Sequence, residues 1–113
     1  MILCCGESLI DMLPRQTASG ETAFAPVAGG AVFNTAIALG RLGAPAGYFG
    51  GLSTDLFGQI LDGALSTSRV DASLARRSAR PTTLAFVTLT NGQASYAFYD
   101  EMTAGRMLTE DDL

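Results

Sequence analysis

Gly29-Gly30-Ala31-Val32-Phe33-Asn34-Thr35-Ala36, residues 29–36, is the stretch on which the fold turns. Two adjacent glycines follow an apolar run and open a helix, predicted from about Phe33 to Leu42. Its cues are Asn34 near the start, apolar Ile37, Ala38 and Leu42, a stop at Gly43 and Pro45 just beyond. Upstream, the apolar run Ile2 to Cys5 ends at Gly6 and suits a buried strand. Leu9-Ile10-Asp11-Met12-Leu13 continues extended as far as Pro14, Thr17 to Glu21 is a polar turn, and Phe24 to Val27 reads as another short strand. Downstream, Tyr48-Phe49-Gly50-Gly51-Leu52 is a strand leading into a second loop. There Ser53, Thr54 or Asp55 caps a helix whose stripe is Leu56, Phe57, Ile60, Leu61, Ala64 and Leu65. Strand, helix, strand, helix is the rhythm of an α/β sheet.

After a second polar stretch the character changes. Thr83 to Thr90 and Ala94 to Tyr99 are β-rich runs separated by Asn91-Gly92-Gln93, a strong hairpin signal. Their flanks mix apolar and hydroxyl side chains, so one face is expected to stay polar. Such a hairpin on an α/β core suits an edge, a dimer contact or a lid. Thr109-Glu110-Asp111-Asp112-Leu113 has the form of a helix start, with a capping Thr and acidic residues at the positive helix end. A chain running on past Leu113 is therefore expected.

Composition narrows the function classes. With 113 residues, 48% hydrophobic and 16% charged, the chain is a folded globular domain with a real core. A net charge of -4 with no Lys and no His argues against nucleic acid, whose phosphates need clustered positive charge. Arg76, Arg77 and Arg80 are read as a solvated loop. Cys4 and Cys5 point to opposite faces of a strand, so they do not bridge, and they are read as small buried hydrophobes in a reducing compartment. Met1-Ile2-Leu3 carries no basic leader, and no apolar stretch approaches the roughly 20 residues that span a bilayer. A cytoplasmic protein with no membrane partner is the expectation. Lack of His excludes a nucleophilic triad, lack of Lys excludes a Walker-type loop, and the glycine spacing fails the dinucleotide fingerprint.

What remains is Gly29-Gly30 through Asn34 opening a helix, with Asp11 just after the first strand. Paired glycines admit a ligand close to the backbone, an Asn amide both donates and accepts, and a carboxylate accepts from two hydroxyls at once. That set suits a neutral polyol. Equally, Gly29-Gly30 reads as a tight turn, Asn34 as a cap and Asp11 as a solvated loop residue; spacing alone leaves the function open.

Taken together and in order, the segments resemble the ribokinase-like (PfkB) carbohydrate kinases. Gly6-Glu7-Ser8-Leu9-Ile10-Asp11 is similar to the family's N-terminal motif. Gly29 to Ala36, Gly40-Arg41-Leu42-Gly43 and Asp55-Leu56-Phe57-Gly58 follow its first signature region. Arg80-Pro81-Thr82-Thr83-Leu84-Ala85 and Phe98-Tyr99 resemble its β-stranded lid. The resemblance implies the N-terminal part of a doubly wound α/β/α fold, with residues 1–113 holding the sugar and lid strands within about 11–27 and 83–100. The ATP-binding portion and the catalytic Asp of a Gly-Ala-Gly-Asp motif would lie beyond residue 113. It further implies γ-phosphoryl transfer from ATP to a sugar, with Mg²⁺ and room for a monovalent cation such as K⁺.

The implied substrate-binding residues are Asp11, Gly29, Gly30, Ala31 and Asn34, with Phe98 and Tyr99 from the lid. Family lids often pair between subunits, which implies a homodimer. Leu9 stands where ribose kinases carry Asn, and Asp100-Glu101 follow the aromatic pair where kinases of 2-keto-3-deoxygluconate carry Arg. A neutral hexose, fructose first, is the expected sugar. Alternatives are 2-keto-3-deoxygluconate kinase, ribokinase, nucleoside kinase and a non-catalytic sugar-binding or dimerising module.

Overall fold

The computed structural model describes residues 1–113. The apolar run Ile2–Cys5 forms β1, which pairs in parallel with β4 (Ala46–Phe49), Cys4 lying opposite Tyr48. Helix α1 (Ala31–Arg41) makes the crossover and packs on both strands through Phe33 and Ala36. It begins at Ala31, two residues before the expected start. Gly30 is its cap, held at φ 108°, and no side chain caps it. Asn34 is thus no cap; its N–H donates to the Gly30 carbonyl within the first turn at 2.8 Å. Gly43, at φ +85°, ends the helix region where the sequence predicts.

The expected run through Leu52 breaks at Gly50, where a β-carbon would collide with the Tyr48 hydroxyl and the Gly6 carbonyl. The chain resumes as β5 (Gly51–Ser53), paired in parallel with β6 (Arg76–Ser78). Arg76 and Arg77 therefore lie on a strand and not in a loop. The Arg76 N–H donates to Gly50 O at 3.0 Å, and the Arg77 guanidinium lies 2.6 Å from Asp62 of helix α2 (Leu56–Thr67). Asp55 is the cap of α2, accepting from Gly58 N at 2.8 Å. Leu56, expected in the apolar stripe, is exposed at the first helical position; Leu61 and Leu65 are the buried members.

The core joins Cys4, Ile10, Phe33, Tyr48, Leu52, Leu61 and Leu65. Phe33 meets Tyr48 edge-on at 5.8 Å, and the Tyr48 hydroxyl donates to Gly6 O at 2.7 Å. Burial pushes the Tyr48 phenol above its ordinary value, which keeps it a neutral donor. Cys4 is buried as expected. Cys5 is exposed, because alternation turns it away from the core face that buries Cys4.

From this base rises a four-stranded sheet in the order β3-β2-β7-β8. Strand β2 (Leu9–Gln16) is antiparallel to β3 (Thr22–Gly29) and parallel to β7 (Leu84–Thr90), which is antiparallel to β8 (Gln93–Tyr99). Strand β2 runs straight through Pro14, beyond the predicted limit. Its Ile10 N–H bonds toward β7, at Thr83 O, so Pro14, of the same parity, also turns its nitrogen to that side. Pairing with β7 has ended at Met12, so the missing N–H forfeits no ladder bond. Asn91 and Gly92, at φ 52° and 77°, turn the β7–β8 hairpin as the sequence predicts. Every residue of β8 is exposed, and its outward side chains include Tyr96, Phe98 and Tyr99, so the expected polar face is in fact partly aromatic. The chain ends in a 3-10 turn, Glu110–Asp112, in which Asp112 accepts from Thr109 N at 2.8 Å. No helix is long and apolar enough to cross a membrane.

Candidate functional site

Alternation along β2 sends Ile10, Met12 and Pro14 to one face and Leu9, Asp11 and Leu13 to the other. Ile10 is fully buried in the core, which settles the parity of the strand. Register then carries Asp11 across the sheet: it lies opposite Val27 on β3 and Ala85 on β7, and Ala85 lies opposite Phe98 on β8. Ala85 is small and buried, so the Asp11 carboxylate and the Phe98 ring stand on either side of a low point. Asp11 itself is half-buried and takes part in neither of the ion pairs of the chain. A carboxylate set among Val27, Leu13, Val87 and Phe98, with no partner from its own chain, is poised to accept from a ligand.

Gly29 stands opposite Leu9, and a β-carbon there would collide with the Asp11 carboxylate. The absence of a side chain is what lets that carboxylate lie against β3. At Gly30 a β-carbon would fall 2.9 Å from Glu7 O and 3.1 Å from Ser8 Cα, so the helix start is seated on the 7–8 loop. Ala31 and Asn34 are exposed on the first turn of α1. The structure thus brings Asp11 and Gly29 into contact and places Gly30 directly after them. Phe98 shares their face. Tyr99, its neighbour, points to the opposite one, where it meets Phe86 edge-on at 5.5 Å and Phe86 meets Phe24 at 5.1 Å.

One strand repeat below Asp11 a cleft of about 310 Å³ opens on the same face, between Leu9, Thr83 and Phe98 above and Glu7, Ser8 and Arg106 below. Arg106 donates to the Asp100 carboxylate at 2.6 Å across its wall. No local pattern places Arg106 here, because five residues of irregular chain separate it from its partner. The segment is held instead by hydroxyls: Thr103 donates to Asp100 O at 2.9 Å and lies 2.7 Å from the Thr83 hydroxyl.

A family model described as "pfkB family carbohydrate kinase" matches residues 1–112. The chain belongs to this family. It is 64% identical over 113 residues to a protein of Rhizobium leguminosarum bv. trifolii named fructokinase, covering all of this chain and 35% of that one. A fructokinase of Solanum tuberosum is 40% identical over 121 residues, again across the whole chain and 37% of the relative. The crystal structure of fructokinase from Xylella fastidiosa superposes with a TM-score of 0.90 at 36% identity, over 98% of this chain and 35% of that one. A second structure of the Xylella fastidiosa enzyme, described as having bound ATP, gives the same TM-score of 0.90. The mixed α/β architecture is therefore the ribokinase-like fold of the PfkB kinases, and the chain spans about a third of the length of the relatives it matches.

Proposed function

We propose that this chain forms the acceptor-sugar half of an ATP-dependent carbohydrate kinase whose substrate is a neutral sugar, fructose first. The observation that carries this is the unpaired Asp11 carboxylate lying against Gly29 on the open sheet face. Support for the sugar comes from the 64% identity to a protein named fructokinase.

Asp11 accepts from two adjacent hydroxyls, the Gly29-Gly30 backbone lies along the ring, the Ala31 and Asn34 turn reaches a further hydroxyl, and Phe98 closes the apolar side. Tyr99, on the far face, braces the sheet through Phe86 and Phe24. The four-stranded sheet of 11–27 and 83–100 acts as the lid, excluding water that would otherwise compete as phosphoryl acceptor. A sugar oxygen forms the new bond to the γ-phosphorus of ATP as the bond to the ADP oxygen breaks. The hydroxyl proton goes to a general base in the family's Gly-Ala-Gly-Asp motif, which residues 1–113 do not contain.

The exposed aromatic strand β8 and the Phe24–Phe86–Tyr99 cluster support a homodimer through the lid. The functional test is a coupled assay of the full-length protein with ATP and, in turn, fructose, ribose, 2-keto-3-deoxygluconate and a nucleoside. Fructose is expected to give the highest kcat/KM. Turnover confined to any of the others removes fructose, and no turnover with any sugar removes the kinase reading.

A further inference from the structure

We propose that the Asp100–Arg106 ion pair sets the charge selectivity of the sugar cleft, Asp100 keeping occupied the cation that would otherwise receive a carboxylate-bearing sugar. This rests on the sugar-kinase reading above and adds a specificity device to it.

The cleft below Asp11 has Arg106 as its one cationic wall residue, facing the carboxylates of Glu7 and Asp100. With Asp11 one strand repeat above, a ligand on this face meets three carboxylates and a single guanidinium. That guanidinium donates through Nη1 to Asp100 at 2.6 Å, a charge-assisted bond that offsets the positive charge a substrate carboxylate would use. A neutral polyol loses nothing by this arrangement, whereas a sugar acid meets net negative charge and a cation already offset by Asp100.

The pair is not what holds the wall in place. The Arg106 and Asp100 side chains are 65% and 41% exposed, so their bond contributes little to folding. The loop is pinned independently, by the Thr103 bonds to Thr83 and Asp100 O and by Ala104 N donating to Pro81 O at 2.9 Å. Neutralising Asp100 therefore frees Arg106 without moving it.

The test uses the full-length protein with fructose as substrate and gluconate, a six-carbon sugar acid, as competing ligand. Asp100→Asn is expected to lower the inhibition constant for gluconate about fivefold. The gain is expected to shrink at high ionic strength and to vanish in the Asp100→Asn, Arg106→Gln double variant. Arg106→Gln alone, which leaves three carboxylates and no cation, is expected to weaken gluconate further. An unchanged gluconate constant in Asp100→Asn overturns the selectivity role and leaves the kinase reading standing. Absence of sugar turnover in the unaltered protein overturns both.

Discussion

Asp11 and the two glycines beside it carry most of the chemistry that a single residue can carry here. Asp11 has no ion-pair partner in its own chain, so the fold does not depend on its charge. Asp11→Asn in the full-length protein is expected to lower kcat/KM for the sugar about a hundredfold, the loss of charge-assisted bonds to two hydroxyls, while the thermal midpoint stays level or rises. Kinetics and a melting curve on the same preparation check both halves. The glycines are expected to separate. Gly29→Ala presses on the mobile end of Asp11, so it folds but raises KM. Gly30→Ala strains a φ of 108° and strikes backbone at Glu7 and Ser8, and is expected to destabilise by about 1–3 kcal/mol in denaturant titration.

At the scale of elements, Asp55 links the start of α2 to the entrance of β7. Its carboxylate accepts from Gly58 N at 2.8 Å, from the Thr82 hydroxyl at 2.7 Å and from Thr82 N at 3.0 Å. Burial alone would raise its pKa, but the Thr82 and Gly58 bonds outweigh it and hold the group below its ordinary 3.8. Folding thus favours the ionised form. That stabilisation is complete above the ordinary value and is lost as pH falls through the lower folded one. Asp55→Ala is expected to cost about 1–2 kcal/mol at neutral pH through the lost cap. Asp55→Asn is expected to flatten the acid limb of a stability-against-pH curve, measured by denaturant unfolding. The β7–β8 hairpin offers a second check, since Gly92 sits at φ 77°. Gly92→Ala is expected to lose about 1–2 kcal/mol and to broaden the amide signals of β8.

For the molecule as a whole, the upright sheet is the feature that asks for a partner. Its face opposite Asp11 shows Phe24 and Tyr99, 36% and 62% exposed, joined through Phe86, and its edge strand β8 has no neighbour beyond it. A lid built this way is expected to be covered by a second copy of itself. Sedimentation of the full-length protein at micromolar concentration is expected to show a dimer. Phe24→Ser with Tyr99→Ser is expected to shift it toward monomer and raise KM for the sugar more than it lowers kcat. A monomeric unaltered protein would remove the dimer and leave the cleft as described.

The alternation of strands and helices up to α2, the turn at Asn91-Gly92, the stop at Gly43 and a cap among Ser53, Thr54 and Asp55 were legible in the sequence, because each depends on a few neighbouring residues. The glycine pair and Asp11 were legible as candidates, though spacing alone did not separate a site from a turn. Tertiary structure decided which of them meet. Register across β3, β2, β7 and β8 puts Phe98 on the Asp11 face and Tyr99 behind it. The Gly50 break made a strand of Arg76–Ser78, and irregular chain folded Arg106 back onto Asp100. Such contacts join residues through strand pairing and loop closure, which no local pattern of side chains encodes.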